Sequence, residues 1–207
     1  MTVHRLDAVE LRVLGCLIEK QRTTPEQYPL TLNALRLACN QATNREPVLE
    51  LDESQVRSAV QSLGTRGYAR LATGPGSRTA KYRQLFSEAL DLLPSQVSIL
   101  AVLMLRGPQT VAELKTRCER LHHFADNAEV EATLARLDGS ELVHLLPKKA
   151  GQREERWTHL LADTPSDEPP PAEREPMTVE PSSTERRLQR LEERVLELER
   201  RLNESQL

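Results

Sequence analysis

The sequence predicts a mainly α protein with small β-hairpins, an α+β fold class, in which two winged helix-turn-helix domains follow one another in tandem. The first observation behind this prediction is an apolar pattern that occurs twice, because Val56, Val60, Leu63 and Leu71 recur as Val130, Leu134, Leu137 and Leu145. The second is that each copy continues into a short strand, a Gly-containing polar loop and a second strand with an aromatic residue. A helix followed by such a hairpin is typical of the second half of a winged helix-turn-helix.

The third observation is the composition of the chain. Aromatic residues make up only 3% of the 207 residues and apolar residues 38%, so the cores must consist mainly of Leu, Val and Ala, which favours helices. The predicted organisation is a first winged-helix domain over 1–88, a second over 89–162, a disordered linker rich in Pro and acidic residues over 163–182, and an amphipathic coiled-coil helix over 183–207.

Helix caps and apolar spacing predict the elements of the first domain. Asp7, followed by Glu10, can form a capping box for a helix that runs to about Gln21. Thr31 can cap a second helix, which carries Leu32, Leu35 and Cys39. The remaining predicted elements are an irregular turn over Asn40–Asp52, a third helix over Glu53–Arg66 and strands over Tyr68–Ala72 and Thr79–Leu85.

The second domain repeats this order with shorter connections. Its first helix is expected to start near Pro94, with Ser95 as a neighbouring cap, and to stop at Gly107 and Pro108. Thr110 caps a short helix, with Glu113 in position for a capping box. A third helix is capped by Asp126 or Asn127 and ends at Gly139, and the hairpin strands are expected over Leu142–Leu146 and Arg156–Leu161.

The C-terminal segment carries a heptad pattern. Its apolar residues step by three and four: Leu188, Leu191, Val195, Leu198 and Leu202. The spacing of Arg187 to Glu192 and of Arg194 to Glu199 suits ion pairs between parallel helices, so the pattern predicts a homodimer. The alternative is an exposed amphipathic helix, because the seam is shorter than three heptads.

Charge is distributed unevenly along the chain. Residues 1–86 hold 12 Lys and Arg against 8 Asp and Glu, residues 87–162 hold 9 against 11, and residues 163–207 hold 7 against 12. A polyanionic partner is therefore expected at the first domain.

The third helix of the first domain is the predicted DNA-reading element. With its apolar residues inward, it presents six residues outward, where they can meet base edges and phosphates: Ser54, Gln55, Arg57, Ser58, Gln61 and Ser62. The hairpin adds Arg70, Arg78, Lys81 and Arg83, and the turn adds Arg45, which can face a phosphate or satisfy the turn itself. The alternatives are an ordinary solvated face or a surface that docks a protein.

The corresponding helix of the second domain is expected to expose Glu129, Glu131, Thr133 and Arg136. Its two carboxylates would be repelled by phosphates, so this domain is predicted to form a protein contact or a dimer contact.

Other chemistries find little support in the sequence. Phosphate-binding and nucleophile-elbow motifs are absent, so no enzyme activity and no cofactor are predicted. Cys118, His122 and His123 lack the further ligands of a zinc site, so no metal is predicted. We expect Cys16, Cys39 and Cys118 to be buried thiols of a cytoplasmic protein, since neither a membrane span nor an apolar leader segment is apparent.

Several segments carry a resemblance to a known family. The run over 23–35, the segments Cys39-Asn40-Gln41 and Asn44 to Val48, and in the second domain Arg106 to Thr110, Glu119 to His122 and Gly151 to Glu154 make the chain similar to the YceH family of uncharacterised bacterial proteins. The resemblance covers about residues 5–161. It implies a pair of winged-helix domains in a cytoplasmic bacterial protein and supplies no activity.

The leading hypothesis from the sequence is a non-enzymatic, dimeric protein that binds DNA through its first domain, as a transcriptional regulator. The alternative is an adaptor in which both winged-helix modules dock a protein partner. A third interpretation is an enzyme whose catalytic residues are scattered along the chain.

Overall fold

A computed structural model describes residues 5–72, 79–148 and 154–162. These residues form α-helices and small antiparallel sheets, which confirms that the protein contains both helices and strands, as the α+β fold class predicts. All of them belong to one compact unit. The predicted linker and C-terminal helix lie outside the described residues.

The first half of the described chain contains four helices and three short strands. The elements are α1 (Ala8–Thr23), a 3-10 turn (Pro25–Gln27), β1 (Leu30–Thr31), α2 (Leu32–Cys39), α3 (Glu53–Thr65), β2 (Ala69–Leu71), β3 (Lys81–Gln84) and α4 (Phe86–Ala89). The strands form one antiparallel sheet in the order β1-β3-β2.

The second half repeats three helices and a hairpin. Its elements are α5 (Pro94–Arg106), α6 (Val111–Cys118), α7 (Asn127–Gly139), β4 (Val143–Leu146) and β5 (Arg156–His159), with β4 and β5 antiparallel.

The predicted caps at the starts of three helices are confirmed. The carboxylate of Asp7 accepts from the backbone N–H of Glu10 at 2.8 Å, and the carboxylate of Glu10 accepts from the N–H of Asp7 at 2.9 Å. Thr110 and Glu113 form the same reciprocal pair at 3.2 and 2.9 Å. Thr31 caps α2 through the N–H of Ala34 at 3.2 Å. Each such cap satisfies backbone donors that the helix leaves open, a contribution of about 1 kcal/mol.

Some local predictions need correction. Ser95 lies inside α5 and does not cap it, because the helix starts after Leu93, whose N–H donates to the side chain of Gln96 at 2.9 Å. Of the two residues predicted to cap α7, Asp126 does so, by accepting from the N–H of Glu129 at 2.9 Å. The sequence also gave no sign of β1, since a strand of two residues is too short to show an alternating pattern.

The repeat extends further in the structure than in the sequence. In the first half, Leu30 of β1 pairs with Tyr82 of β3. In the second half, Gln109 makes the equivalent bridge to Trp157: the N–H of Gln109 donates to the carbonyl of Trp157 at 3.0 Å, and the N–H of Trp157 donates to that of Gln109 at 2.8 Å. The halves differ mainly between their second and third helices. Residues 40–52 make that connection in the first half, and the shorter stretch 119–126 makes it in the second.

The core is shared by both halves. Every residue of α1 from Glu10 to Ile18 and every residue of α5 from Gln96 to Leu105 is buried. The two helices approach closely at Gly15, where a Cβ atom would lie 2.9 Å from the side chain of Leu105. A second link joins the ends of the unit, because the N–H of Leu6 donates to the carbonyl of Leu161 at 2.7 Å.

We predict that His159 makes the stability of the fold depend on pH. Burial lowers the pKa of this imidazole to about 4, and its Nδ1 atom is buried without a hydrogen-bond partner among the described residues. In the unfolded chain a histidine titrates at about 6.5, so the unfolded state takes up the proton first on acidification. The contribution of a neutral His159 is fully present above pH ~6.5 and is lost as the pH falls towards 4, by about 1–3 kcal/mol.

Urea unfolding of the wild type and of His159→Gln at several pH values from 7 to 4 measures this effect. The free energy of unfolding should fall less steeply for His159→Gln over that interval. Equal pH slopes for the two proteins would contradict the prediction.

Candidate nucleic-acid interface

Helix α3 presents the predicted polar face to solvent. Its buried side consists of Val56, Ala59, Val60 and Leu63. Of the six residues predicted to face outward, Ser62 is partly buried and the other five are exposed: Ser54, Gln55, Arg57, Ser58 and Gln61. The side chains of Ser58 and Gln61 have no hydrogen-bond partner among the described residues, so their polar groups are open to a ligand.

The first turn of α3 is arranged around an aspartate cap. Asp52 accepts hydrogen bonds from the hydroxyl of Ser54 at 2.7 Å and from the N–H of Gln55 at 2.8 Å, which lower the pKa of its carboxyl. The side-chain oxygen of Gln55 in turn accepts from the N–H of Asp52 at 2.9 Å. Two of the predicted contact residues therefore also hold the helix end, and only the amide nitrogen of Gln55 is left as a donor.

Arg57 is the exposed cation of this face. Its guanidinium contacts the carboxylate of Glu53 at 2.5 Å, one helical turn away, and both side chains are half exposed. Such exposed pairs contribute at most about 1 kcal/mol, so a phosphate can compete for the guanidinium.

The three-stranded sheet carries cations on one face. Arg70 lies directly opposite Arg83 in the pairing of β2 with β3, and Lys81 lies two residues from Arg83 on the same strand. Because side chains alternate across a strand, all three share a face, while Ala69 and Gln84 are buried on the other. Arg83 also pairs with Glu88, whereas Arg78 lies outside the described residues.

Arg45 lies inside the protein and not on the surface where DNA could contact it. Its side chain is fully buried, with Nη2 2.6 Å and Nη1 3.1 Å from the carboxylate oxygens of Glu19. Its Nε donates to the carbonyl of Ala38 at 3.1 Å, and Nη2 also reaches Gln41. The guanidinium is therefore used inside the protein, which confirms the alternative that Arg45 satisfies the turn and shows that it is not a DNA contact.

A second buried arginine supports the same turn. Arg12 donates to the carbonyl of Cys39 at 3.0 Å and to that of Pro47 at 2.5 Å, and burial lowers the pKa of its guanidinium.

The three cysteines are buried thiols. Cys39 is fully buried beside Arg12, and the hydrogen bond to Cys16 and burial together raise the pKa of Cys39. Burial also raises the pKa of Cys118 to about 12. The prediction of three buried thiols is confirmed.

The equivalent helix in the second half has a different surface. Glu129, Glu131 and Arg136 are exposed on α7, as expected. Thr133 was wrongly predicted to be exposed, because its hydroxyl turns back to the carbonyl of Glu129 at 2.8 Å and the residue is buried. The exposed face of α7 therefore has an excess of carboxylates, whereas on α3 the exposed carboxylate of Glu53 is paired with Arg57.

The histidines, cysteines and carboxylates do not form a metal site in the described part of the chain, since no group of three or more of these side chains is arranged to hold an ion there. His122 stacks edge-on against Phe124, with ring centroids 4.7 Å apart, and His123 contacts Glu119 at 2.7 Å. No described helix combines the length and the apolar character needed to cross a membrane.

Two groups of residues were not predicted from the sequence. The first is buried Arg12 and partly buried Glu19, whose spacing indicates only that they belong to a helix. The second is a set of cations around a cleft: Lys20, Arg106, Arg117 and Arg120. A signal for the second group was present, since basic residues occupy the last turns of α1, α5 and α6.

We predict that Arg45→Ala lowers the free energy of unfolding by about 3 kcal/mol, because it leaves the partly buried carboxylate of Glu19 without its principal partner. Arg57→Ala is the matched control, since it removes an ion pair of similar length at the surface and should change stability by less than about 1 kcal/mol. Chemical denaturation measures both. Similar losses in the two variants would contradict the structural role of Arg45.

Comparison with known proteins places the chain among relatives without an assigned function. Residues 6–152 match the family described as "Protein of unknown function, DUF480". A UPF0502 protein of Pseudomonas fluorescens is 52% identical over 159 residues, which cover 77% of this chain and 73% of the relative. A UPF0502 protein of Pseudomonas syringae pv. tomato is 44% identical over 203 residues, covering 96% and 90%. One from Pelobacter propionicus is 53% identical over 158 residues, covering 75% and 72%.

Proposed function

The chain belongs to the DUF480 family of proteins of unknown function. We propose that it is a non-enzymatic, tandem winged-helix protein. In this proposal it binds DNA through its first half and acts as a transcriptional regulator. The order of elements supports the winged-helix part of the proposal. Each half has three helices followed by an antiparallel hairpin, with a short extended segment before the second helix that pairs with the hairpin.

The observation that carries the DNA proposal is the difference between two equivalent helices. The outward face of α3 carries neutral polar groups and one balanced pair of charges, Arg57 with Glu53, whereas on α7 Glu129 and Glu131 outnumber the exposed arginine. Phosphates repel carboxylates, so the excess of carboxylates makes α7 the less suitable of the two helices for insertion into a groove of DNA. The cationic face of the neighbouring sheet, with Arg70, Lys81 and Arg83, adds charge to the same half.

The side chains of α3 have the donors and acceptors that base reading requires. The amide of Gln61 can pair with adenine in the major groove, and Ser58 can bond to a base or a phosphate. Arg57 can exchange Glu53 for a guanine or a phosphate. Lys81 and Arg70 suit phosphate contacts, which set affinity and register but do not read sequence.

We predict that the full-length protein binds mixed-sequence duplex DNA with an affinity that falls steeply as salt rises. Each of Arg57→Ala, Arg70→Ala and Lys81→Ala should reduce the slope of log affinity against log salt by about 1 if the residue contacts one phosphate. Fluorescence anisotropy over a salt series measures the slope.

Arg136→Ala is the matched control for this experiment, because it removes an exposed arginine from the corresponding helix of the second half. Its slope should equal that of the wild type. An absence of binding at low salt would contradict the proposal and favour the adaptor alternative, in which the acidic face of α7 docks a protein. Equal effects of Arg136→Ala and Arg57→Ala would contradict the assignment to the first half.

We also propose that the C-terminal heptad pattern joins two chains into a homodimer. This proposal rests on the sequence spacing of Leu188, Leu191, Val195, Leu198 and Leu202.

The double variant Leu191→Glu and Leu198→Glu should convert a dimer to a monomer, because it puts four carboxylates into the apolar seam of the dimer. Light scattering at micromolar concentration measures the mass of each protein. The control is Glu193→Gln with Glu197→Gln, which changes two charges in the same segment outside the seam. A monomeric wild type would end the proposal.

A further inference from the structure

A polar cleft of about 360 Å³ lies between the two halves of the compact unit. Its walls are the C-terminal end of α1, the connection between α2 and α3, the C-terminal end of α5, and α6 with the residues that follow it. The charged side chains that line the cleft are Glu19, Lys20, Arg106, Arg117 and Arg120. Hydroxyl and amide groups of the connection and of α1 complete the lining, including Thr24 and Asn44.

The lining has an excess of positive charge. Four cations face one carboxylate, and that carboxylate, Glu19, is already bound by the buried guanidinium of Arg45 at 2.6 Å. Lys20 lies 3.6 Å from the same carboxylate, so Glu19 is shared between two cations. Little negative charge from side chains therefore remains to balance Arg106, Arg117 and Arg120.

Helix dipoles offer a structural explanation for part of this charge. Basic residues are favourable in the last turn of a helix, where the backbone carries about −0.5 of an elementary charge. The three helix ends at the cleft would then supply a charge of about −1.5 in total. The four cations carry a charge of +4, and the carboxylate of Glu19 is already paired with Arg45. The dipoles thus account for fewer than half of the cations.

The partners of the individual cations are also incomplete. Arg117 lies 3.6 Å from Glu113, but that carboxylate is bound more closely by Arg156, at 2.8 Å. Arg120 is exposed and has no hydrogen bond or ion pair with any other described residue. Arg106 donates to the side chain of Asn44, a neutral acceptor. Burial, and then the nearby charge of Arg117, lower the pKa of Arg106, and the charges of Glu19 and Glu46 only partly oppose them.

We propose that this cleft binds a small soluble oxyanion, a molecule that carries phosphate groups, between Lys20 and the three arginines. Guanidinium groups bind phosphate oxygens through paired, charge-assisted hydrogen bonds, and a lysine adds a point charge. The volume is in the range of small-molecule sites and exceeds what one phosphate fills, so it suits a pyrophosphate or a phosphorylated metabolite. Binding here would bridge the two halves and does not depend on DNA binding by α3.

Isothermal titration of the full-length protein with inorganic pyrophosphate, in buffer free of divalent metals, tests the proposal. We expect saturable binding of one pyrophosphate per chain. Arg117→Gln and Arg120→Gln should each weaken it by about tenfold, the loss expected for one charge-assisted contact. Lys115→Gln is the matched control, because it removes a cation from α6 that does not line the cleft, and its affinity should equal that of the wild type.

Arg120→Gln keeps the test decisive even if Arg117→Gln unfolds, since Arg120 holds no other described residue in place. The proposal is overturned by an absence of heat at millimolar pyrophosphate, or by equal affinities in Arg120→Gln, Lys115→Gln and the wild type. Complete displacement of pyrophosphate by duplex DNA would overturn it too, because the cleft would then be a contact for the DNA backbone. Arg120→Gln should leave the salt slope of DNA binding unchanged, which separates this proposal from that of α3.

Discussion

The packing of α1 against α5 is the constraint on which the rest of the structure depends. Each helix is the first of its half, and each is buried along its whole central stretch, so neither half has a complete core without the other. The close approach at Gly15 leaves no room for a larger side chain unless Leu105 moves. Because apolar burial contributes about 25 cal/mol per Å², two helices buried on all sides supply a large part of the stability of both halves. The two repeats consequently behave as one body.

The two halves differ most in the connection between their second and third helices. The longer connection between α2 and α3 is held by Arg12 and Arg45 from within, and it is joined to α5 through the N–H of Glu46 and the carbonyl of Leu105 at 2.8 Å. The same connection forms one wall of the cationic cleft. The longer connection of the first half therefore contributes both internal hydrogen bonds and part of a surface between the halves.

The candidate surfaces draw on different physical features. The face of α3 depends on which residues the apolar stripe leaves outside, and it offers neutral donors and acceptors with little charge of its own. The cleft depends on helices from both halves that end at the same place, so that cations distant in sequence add their fields. A phosphate group on DNA and a phosphate group on a small molecule would thus meet two separate regions of the protein.

The sequence by itself determined the local structure, because periodicity and helix caps act over a few residues. The caps Asp7, Thr31 and Thr110 were predicted in this way, as were the exposed side of α3 and the burial of the cysteines. The family resemblance was also evident from sequence and is confirmed by the family match. Only the tertiary structure decided that the guanidinium of Arg45 is buried and that a cationic cleft exists. A charged residue in a polar loop looks the same whether it faces water or a buried carboxylate, and Glu19 lies 26 positions away. Likewise Lys20 and Arg120 come together only because α1 packs on α5, a contact between distant segments that no local pattern records.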